Sequence, residues 1–338
     1  MKSVNIKDIA KAAGVGVSTV SRVLNNQPDV KASTKEKVLK VIEDLNYVPN
    51  NSARNLKRNK TNHIGIFIIG EYSNFFSKIV EAFEKKISGE KNALVLHFHK
   101  ENLKTVESAV EFALEKRLAG LIILGGSLLP EDEGYLKQLD IPVVLGSTVI
   151  HEACDHTLYS SVTIDNFLSS YEGVKQLISS GHKCIGLISS DDGKDNVADR
   201  RRLAYEKALK EHKLVFSNKL VAMGDYSMQS GYEAMKTILD TDATAVFAIS
   251  DLMAIGAMKA VFDAGKSVPE DVSVLGFDGL EISKFMHPSL STIEQPYYEM
   301  GSSLASIVLS QLEDNTVKKH IVLETTFYRG QSIKQCEV

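Results

Sequence analysis

Seven apolar runs, each four to six residues long, recur between residues 62 and 277 and constrain most of this chain. They cover residues 64–69, 93–98, 120–124, 143–146, 184–189, 245–249 and 272–277. Short, nearly continuous apolar runs suit strands that are covered on both faces. Segments of 10–18 residues with helical patterning lie between them. Strand, helix and strand in repetition imply right-handed crossovers and open parallel sheets. His63-Ile64-Gly65-Ile66 opens one stretch of the pattern and Cys184-Ile185-Gly186-Leu187 opens another, a weak internal echo. The reading is two similar α/β halves with a cleft between them.

The front of the chain follows a different rule. Residues 1–60 hold 12 Lys and Arg against 5 Asp and Glu, and the remaining 278 residues carry a net charge of −11 within a chain total of −4. A basic front on an acidic body is the footprint of a small nucleic-acid-binding domain. This front has the apolar residues of a folded unit. Ile6, Ile9, Ala10 and Ala13 recur at helical spacing, and Gly14-Val15-Gly16 breaks the helix where glycine accepts a positive φ. Residues 17–24 form a second helix, with Val20, Val23 and Leu24 as its inward stripe. A third runs from about 33 to 45, with Ser33 or Thr34 as its N-cap and Val38, Leu39, Ile42 and Leu45 facing inward. Helix, glycine turn, helix and packing helix make a helix-turn-helix. Gly16 just before its second helix, and Val17, Ser18, Thr19 and Ser21 on it, are groups that can approach bases or phosphates. Arg22 can donate two hydrogen bonds to a guanine.

Residues 6–15, IKDIAKAAGV, followed by residues 18–25, STVSRVLN, closely resemble the headpiece of the lac/galactose repressor family. Tyr47-Val48-Pro49-Asn50, Ala53-Arg54 and Leu56 fit the family's next signature. The resemblance extends to about residue 330. It implies an all-α helix-turn-helix headpiece plus an α/β core of two doubly wound parallel-sheet subdomains, like the periplasmic binding proteins. The implied divisions are 1–48 for the headpiece, 49–61 for a hinge helix, 62–162 with 296–330 for the first core subdomain, 163–295 for the second, and 331–338 for a tail. Segments near 162–165 and 291–296 would cross between the halves. A last helix near 297–314 and a strand near 321–326 would return to the first. By resemblance, Leu56 is a minor-groove wedge beside Ala53, Asn50 caps the hinge helix, and Asn25 joins the DNA face. The hinge has too few apolar residues to fold alone, so it would order on DNA.

The expected function is a transcriptional repressor, a homodimer on pseudo-palindromic operator DNA, controlled by a small molecule in the cleft. Ligands bind beyond the carboxyl ends of parallel strands, which directs attention to Ser250 and Asp278. Asp251 is placed as the cap of the helix that follows Ser250. The family's Arg-x-x-Gly-aromatic pattern appears as Arg201-Arg202-Leu203-Ala204-Tyr205, with alanine for glycine. Arg201 is the candidate, and Arg200 or Arg202 would replace it if the register slips. Tyr226 can stack on a sugar ring, and Tyr72, Asn74 and Phe75 face the cleft from the first half. An arginine, an acid and an aromatic platform suit a carbohydrate-like effector better than a purine. Gly146-Ser147 stands where some sugar-sensing relatives have an acidic residue. The alternative is a regulator switched by a phosphocarrier-type protein corepressor. That reading wants a basic residue shortly before Pro288, where this chain has Met286-His287.

Other classes are disfavoured. No run of about 18 apolar residues suggests a membrane span. The first residues lack a signal peptide's apolar core, so the expectation is a cytoplasmic protein. Cys154, Cys184 and Cys336 are scattered like reduced thiols. His97 and His99 share a strand face without an evident third ligand, which favours packing over metal binding. No dinucleotide fingerprint or nucleophile elbow stands out, so neither a cofactor nor an enzyme is expected.

Overall fold

A computed structural model describes residues 6–24, 30–45, 62–70, 74–89, 92–100, 105–190 and 196–336. The chain forms two compact units, residues 1–61 and 62–338.

In the first unit, α1 (Ile6–Ala13), α2 (Val17–Leu24) and α3 (Ala32–Asp44) close around Ile9, Ala10, Ala13, Val20, Val23 and Val38. Gly14 takes φ +62°, and the Val15 amide turns back to Ala10 O at 3.0 Å. A Cβ would resist that backbone, so the glycine turn is as the sequence read it. The third helix differs from expectation. It starts at Ala32, which places Ser33 and Thr34 inside its first turn instead of at the cap. Its inward stripe is Val38, Val41 and Ile42, while Leu39 and Leu45 are 45% and 39% exposed. Residues 38, 41 and 42 share a face at i, i+3, i+4. Leu39 sits about 100° round from Val38, and Leu45 follows the last helical residue.

The second unit begins with β1 (His63–Ile69), α4 (Asn74–Ile87), β2 (Ala93–His99), α5 (Thr105–Lys116), β3 (Gly120–Leu124), β4 (Ser127–Leu128), β5 (Val143–Gly146), β6 (Val149–Ile150) and β7 (Ser160–Ile164). The chain then crosses to a second lobe. There it builds α6 (Asn166–Ser179), β8 (Ile185–Ser190), α7 (Val197–Glu211), β9 (Val221–Gly224), α8 (Met228–Leu239), β10 (Ala245–Ala248), α9 (Asp251–Asp263), β11 (Ser273–Asp278), α10 (Glu281–Phe285) and β12 (Ser291–Glu294). It returns through α11 (Tyr297–Glu313) to β13 (His320–Leu323) and crosses once more to β14 (Thr326–Tyr328).

The sheets read β13-β7-β5-β3-β1-β2 and β14-β12-β11-β10-β8-β9. Every pairing is parallel except β12 with β14. The strand order reverses beside β1 in one sheet and beside β8 in the other. The internal echo in the sequence therefore marks equivalent places. Successive residues of β1 serve two cores: Ile64, Ile66 and Ile68 belong to the one that holds Phe83, and Phe67 and Ile69 to the one that holds Phe112. Each such side chain contributes about 1.5–3 kcal/mol by leaving water. That is why these strands read as unbroken apolar runs.

The C-terminal end departs from the expected division. β14 pairs with β12, so residues 326–328 join the second sheet and not the first. Residues 331–336 are stitched onto the second lobe. Ser332 is fully buried and donates from Oγ to Val274 O at 2.6 Å, and the Cys336 amide donates to Ser180 O at 2.7 Å. On β2, His97 stacks on Phe67 with ring centres 5.0 Å apart and meets Phe112 at 5.1 Å, a packing arrangement.

Candidate functional site

A cleft of about 450 Å³ lies between the two lobes, at the carboxyl ends of both sheets. Parallel sheets leave a crevice where their strand order reverses, and here two such crevices face each other. The first lobe contributes Asn74 and Phe75 from the start of α4, Gly125 and Gly126 after β3, and Ser147 after β5. The second contributes Arg201, Tyr226, Ser250, Asp278, Leu280 and Gln295. Six of the seven residues expected at a ligand site thus meet in one cavity: Asn74, Phe75, Arg201, Tyr226, Ser250 and Asp278. Tyr72 lies outside the described residues.

Arg201 is the arginine of its triplet that turns inward, at 4% exposure, while Arg202 pairs outward with Glu206 at 2.9 Å. The register follows from its helix. Ala204 and Tyr205 are fully buried, and the Tyr205 hydroxyl donates to Ile185 O at 2.7 Å. Arg201 donates from Nε and Nη2 to Asn166 Oδ1 at 3.1 and 3.0 Å, and from Nη1 to Ile249 O at 2.5 Å. Its guanidinium lies 3.5 Å above the Phe277 ring, and Nη1 is 3.8 Å from Asp278 Oδ1. Of its five N–H groups, three are spent within the protein, which limits what remains for a bound molecule.

Asp278 closes β11 and receives Gln295 Nε2 on Oδ1 at 2.8 Å. Burial pushes its carboxyl up to about 6, against the opposing pull of Arg201 and Gln295. Burial also lowers the Arg201 pKa, opposed by Asp278. The group can accept hydroxyl donors and keeps a cation nearby, which is the chemistry of polyol recognition.

Three cleft residues hold left-handed backbones without being glycine: Ser147 at φ +51°, Tyr226 at +67° and Asp278 at +119°. Each such conformation costs about 1–3 kcal/mol and persists only where the surroundings enforce it. Their concentration around one cavity marks the cleft as a place where geometry is held against local preference.

Two assignments around Ser250 change. Ser250 itself is the N-cap of α9, with an extended backbone and a side chain accepting from the Met253 amide at 3.3 Å. Asp251, expected as the cap, is fully buried beneath the cleft and bonds elsewhere. Gln295 was not singled out. It is 3% exposed, and its Oε1 is a buried acceptor without a protein partner. It follows β12, so the strand-end rule that found Asp278 applies to it too. In the sequence the segment stands out only as a crossover between the halves.

On the headpiece, Gly16, Val17, Ser18 and Arg22 are exposed and Thr19 is half-buried, while Val20 and Val23 turn into the core. Exposed residues thus lie along α2 from its start at Val17 and Ser18 to Arg22 in its last turn. Ser21 lies within α2. Asn25, Asn50, Ala53, Leu56 and the hinge segment 49–61 fall outside the described residues.

Residues 5–50 match the family model for bacterial regulatory proteins of the lacI family, and residues 174–333 match the periplasmic binding protein-like domain. The chain is 42% identical over 332 residues to the HTH-type transcriptional regulator MalR of Clostridium butyricum, covering 97% of this chain and 98% of that protein. It is 33% identical to catabolite control protein A of Priestia megaterium, over 95% of this chain and 96% of that one. Among solved structures it is similar to the lac repressor dimer bound to operator and the anti-inducer ONPF, with a TM-score of 0.79, 27% identity, and coverage of 98% and 100%. The CelR–cellobiose complex gives a TM-score of 0.70 and 28% identity, with coverage of 97% and 99%.

Proposed function

This chain belongs to the lacI family of bacterial regulatory proteins, and on that premise we propose that it is a sequence-specific repressor whose hold on operator DNA is set by a carbohydrate in the cleft. It acts as a homodimer in the cytoplasm. Two copies of α2 enter successive major grooves, where Arg22, Ser18 and Thr19 meet bases and phosphates. The hinge around Asn50, Ala53 and Leu56 orders on the minor groove. Arg201, Tyr226, Ser250, Asp278 and Gln295 hold the effector from the second lobe, and Asn74 and Phe75 hold it from the first. An effector that prefers one arrangement of the lobes shifts the hinge spacing. A coupling of about 1–3 kcal/mol is enough for regulation.

The observation that carries the carbohydrate reading is the pairing of Asp278 with an unpartnered Gln295 Oε1 at the cleft. Acceptors so placed call for a ligand rich in hydroxyl donors. The test is a thermal-shift screen with glucose, maltose, cellobiose, ribose, a hexose phosphate and nucleosides, followed by calorimetric titration of the hits. Sugars that raise the unfolding temperature and bind with one site per chain support the reading. Binding confined to a phosphocarrier protein, with every small molecule inert, would overturn it in favour of a protein corepressor.

A further inference from the structure

We propose that Asp251 is a positioning residue, which tunes effector affinity from beneath the cleft by fixing the three segments that carry Ser250, Asp278 and Gln295. The inference rests on the cleft being the effector site.

Asp251 is fully buried and does not line the cavity. It is the first residue of α9, directly after Ser250. Its Oδ2 accepts from the Leu280 amide at 2.7 Å and from Ser283 Oγ at 2.9 Å. Its Oδ1 accepts from Thr292 Oγ1 at 2.6 Å, and that same hydroxyl accepts from the Gly279 amide at 3.3 Å. One carboxylate therefore holds the two amides that follow Asp278, one directly and one through Thr292. Thr292 lies on β12, three residues before Gln295. Ser283, also fully buried, ties in α10.

The backbone around this clamp explains what it is for. Asp278 at φ +119° and Gly279 at +75° form a turn that an aspartate does not adopt by preference. Such a turn stays in place only if its neighbours hold it. Gly276 shows how closely the clamp is seated: a Cβ there would come within 2.3 Å of Asp251 Oδ1. A buried carboxylate needs its acceptors filled, and here donors from three elements fill them. The same bonds that satisfy Asp251 hold Asp278 in register with Arg201 and Gln295.

The test compares the full chain with Asp251→Asn, Asp278→Asn and the double variant, with Ser283→Ala as a milder change should Asp251→Asn fail to fold. Measured above pH 8, where Asp251 is ionised, an asparagine sets an N–H donor against the Leu280, Ser283 and Thr292 donors. Amide exchange of the sugar-free protein should rise at least tenfold at Gly279 and Leu280 in Asp251→Asn, and to a lesser extent in Ser283→Ala. Calorimetry with maltose and cellobiose should show affinity falling about tenfold or more for Asp251→Asn. Adding Asp251→Asn to Asp278→Asn should cost no further affinity, the non-additivity expected of two residues that act through one turn. Unchanged exchange at residues 279–280, or additive losses of affinity in the double variant, would overturn the proposal. If the unmodified chain binds neither sugar, the carbohydrate reading is what suffers, and the exchange comparison still decides the role of Asp251.

Discussion

Gln295 donates from Nε2 to Asp278 Oδ1 at 2.8 Å while its own Oε1 remains buried and without a protein partner. The Gln295 amide also donates to Asp278 O at 3.1 Å, so the two residues are joined by backbone and side chain alike. One closes β11, and the other begins the connection back to the first lobe. A molecule that donates to both joins a fixed strand end to a crossover.

Removing the acceptor should weaken that molecule. Gln295→Leu keeps most of the volume and loses both the donor to Asp278 and the unpartnered Oε1. We expect sugar affinity to fall by about 1–3 kcal/mol, the range for one lost buried hydrogen-bonding group. Isothermal titration measures it; equal affinity would show that Gln295 does not meet the ligand.

Asp278→Ala should abolish the effector response and leave operator binding in the absence of effector intact. Gel shift on operator DNA with and without the best sugar from the thermal screen reads both. Loss of operator binding as well would assign Asp278 to folding, through the Arg201 left behind in a buried site.

Stability should fall as pH rises from 6 to 8. Burial pushes Asp251 up to about 8 and Asp278 up to about 6, both from an ordinary 3.8. A raised acid binds its proton more tightly in the folded chain than in the unfolded one, so folding is progressively penalised between the two values and levels off above the folded one. Asp278 exhausts its share within about one unit above pH 6, leaving Asp251 to set the slope beyond. Thermal unfolding of Asp251→Asn across pH 6–8 should be flatter than that of the unmodified chain, and parallel curves would refute the assignment.

Arg22→Ala should cost about 1–3 kcal/mol of operator affinity and relax base preference at one position of each half-site. A binding-site selection experiment checks it. A uniform loss across all sequences would make Arg22 a phosphate contact instead.

Much of this was legible in the chain because the strands are covered on both faces, and burial writes itself as apolar runs. The strand at Gly120–Leu124 and that at Val143–Gly146 fall where those runs stand. The crossovers were harder to read. Ser160–Ile164 and Ser291–Glu294 are strands built largely of serine and threonine. Their fit depends on hydrogen bonds from distant segments, such as Thr292 to Asp251 and the Ser291 amide to Ser332 Oγ. Gln295 was missed for that reason. Asp251 was misread because a helix-start acid is usually a cap, and only the packing of Leu280, Ser283 and Thr292 around it reveals its other use. Arg201 is legible only through the family's Arg-x-x-Gly-aromatic pattern, which leaves Arg200 and Arg202 open; the burial of Ala204 and Tyr205 on the same helix is what turns Arg201 inward.

The lobes are interleaved along the chain, with the first completed by α11 and β13 and the second by β14. A polypeptide emerging from a ribosome folds by domains, front end first, but here neither lobe has all its strands until residues 320–328 have been made. The headpiece segment emerges long before the sensor can close. An incomplete chain would present a DNA-binding element with no working cleft attached, so the order of synthesis supplies recognition before control.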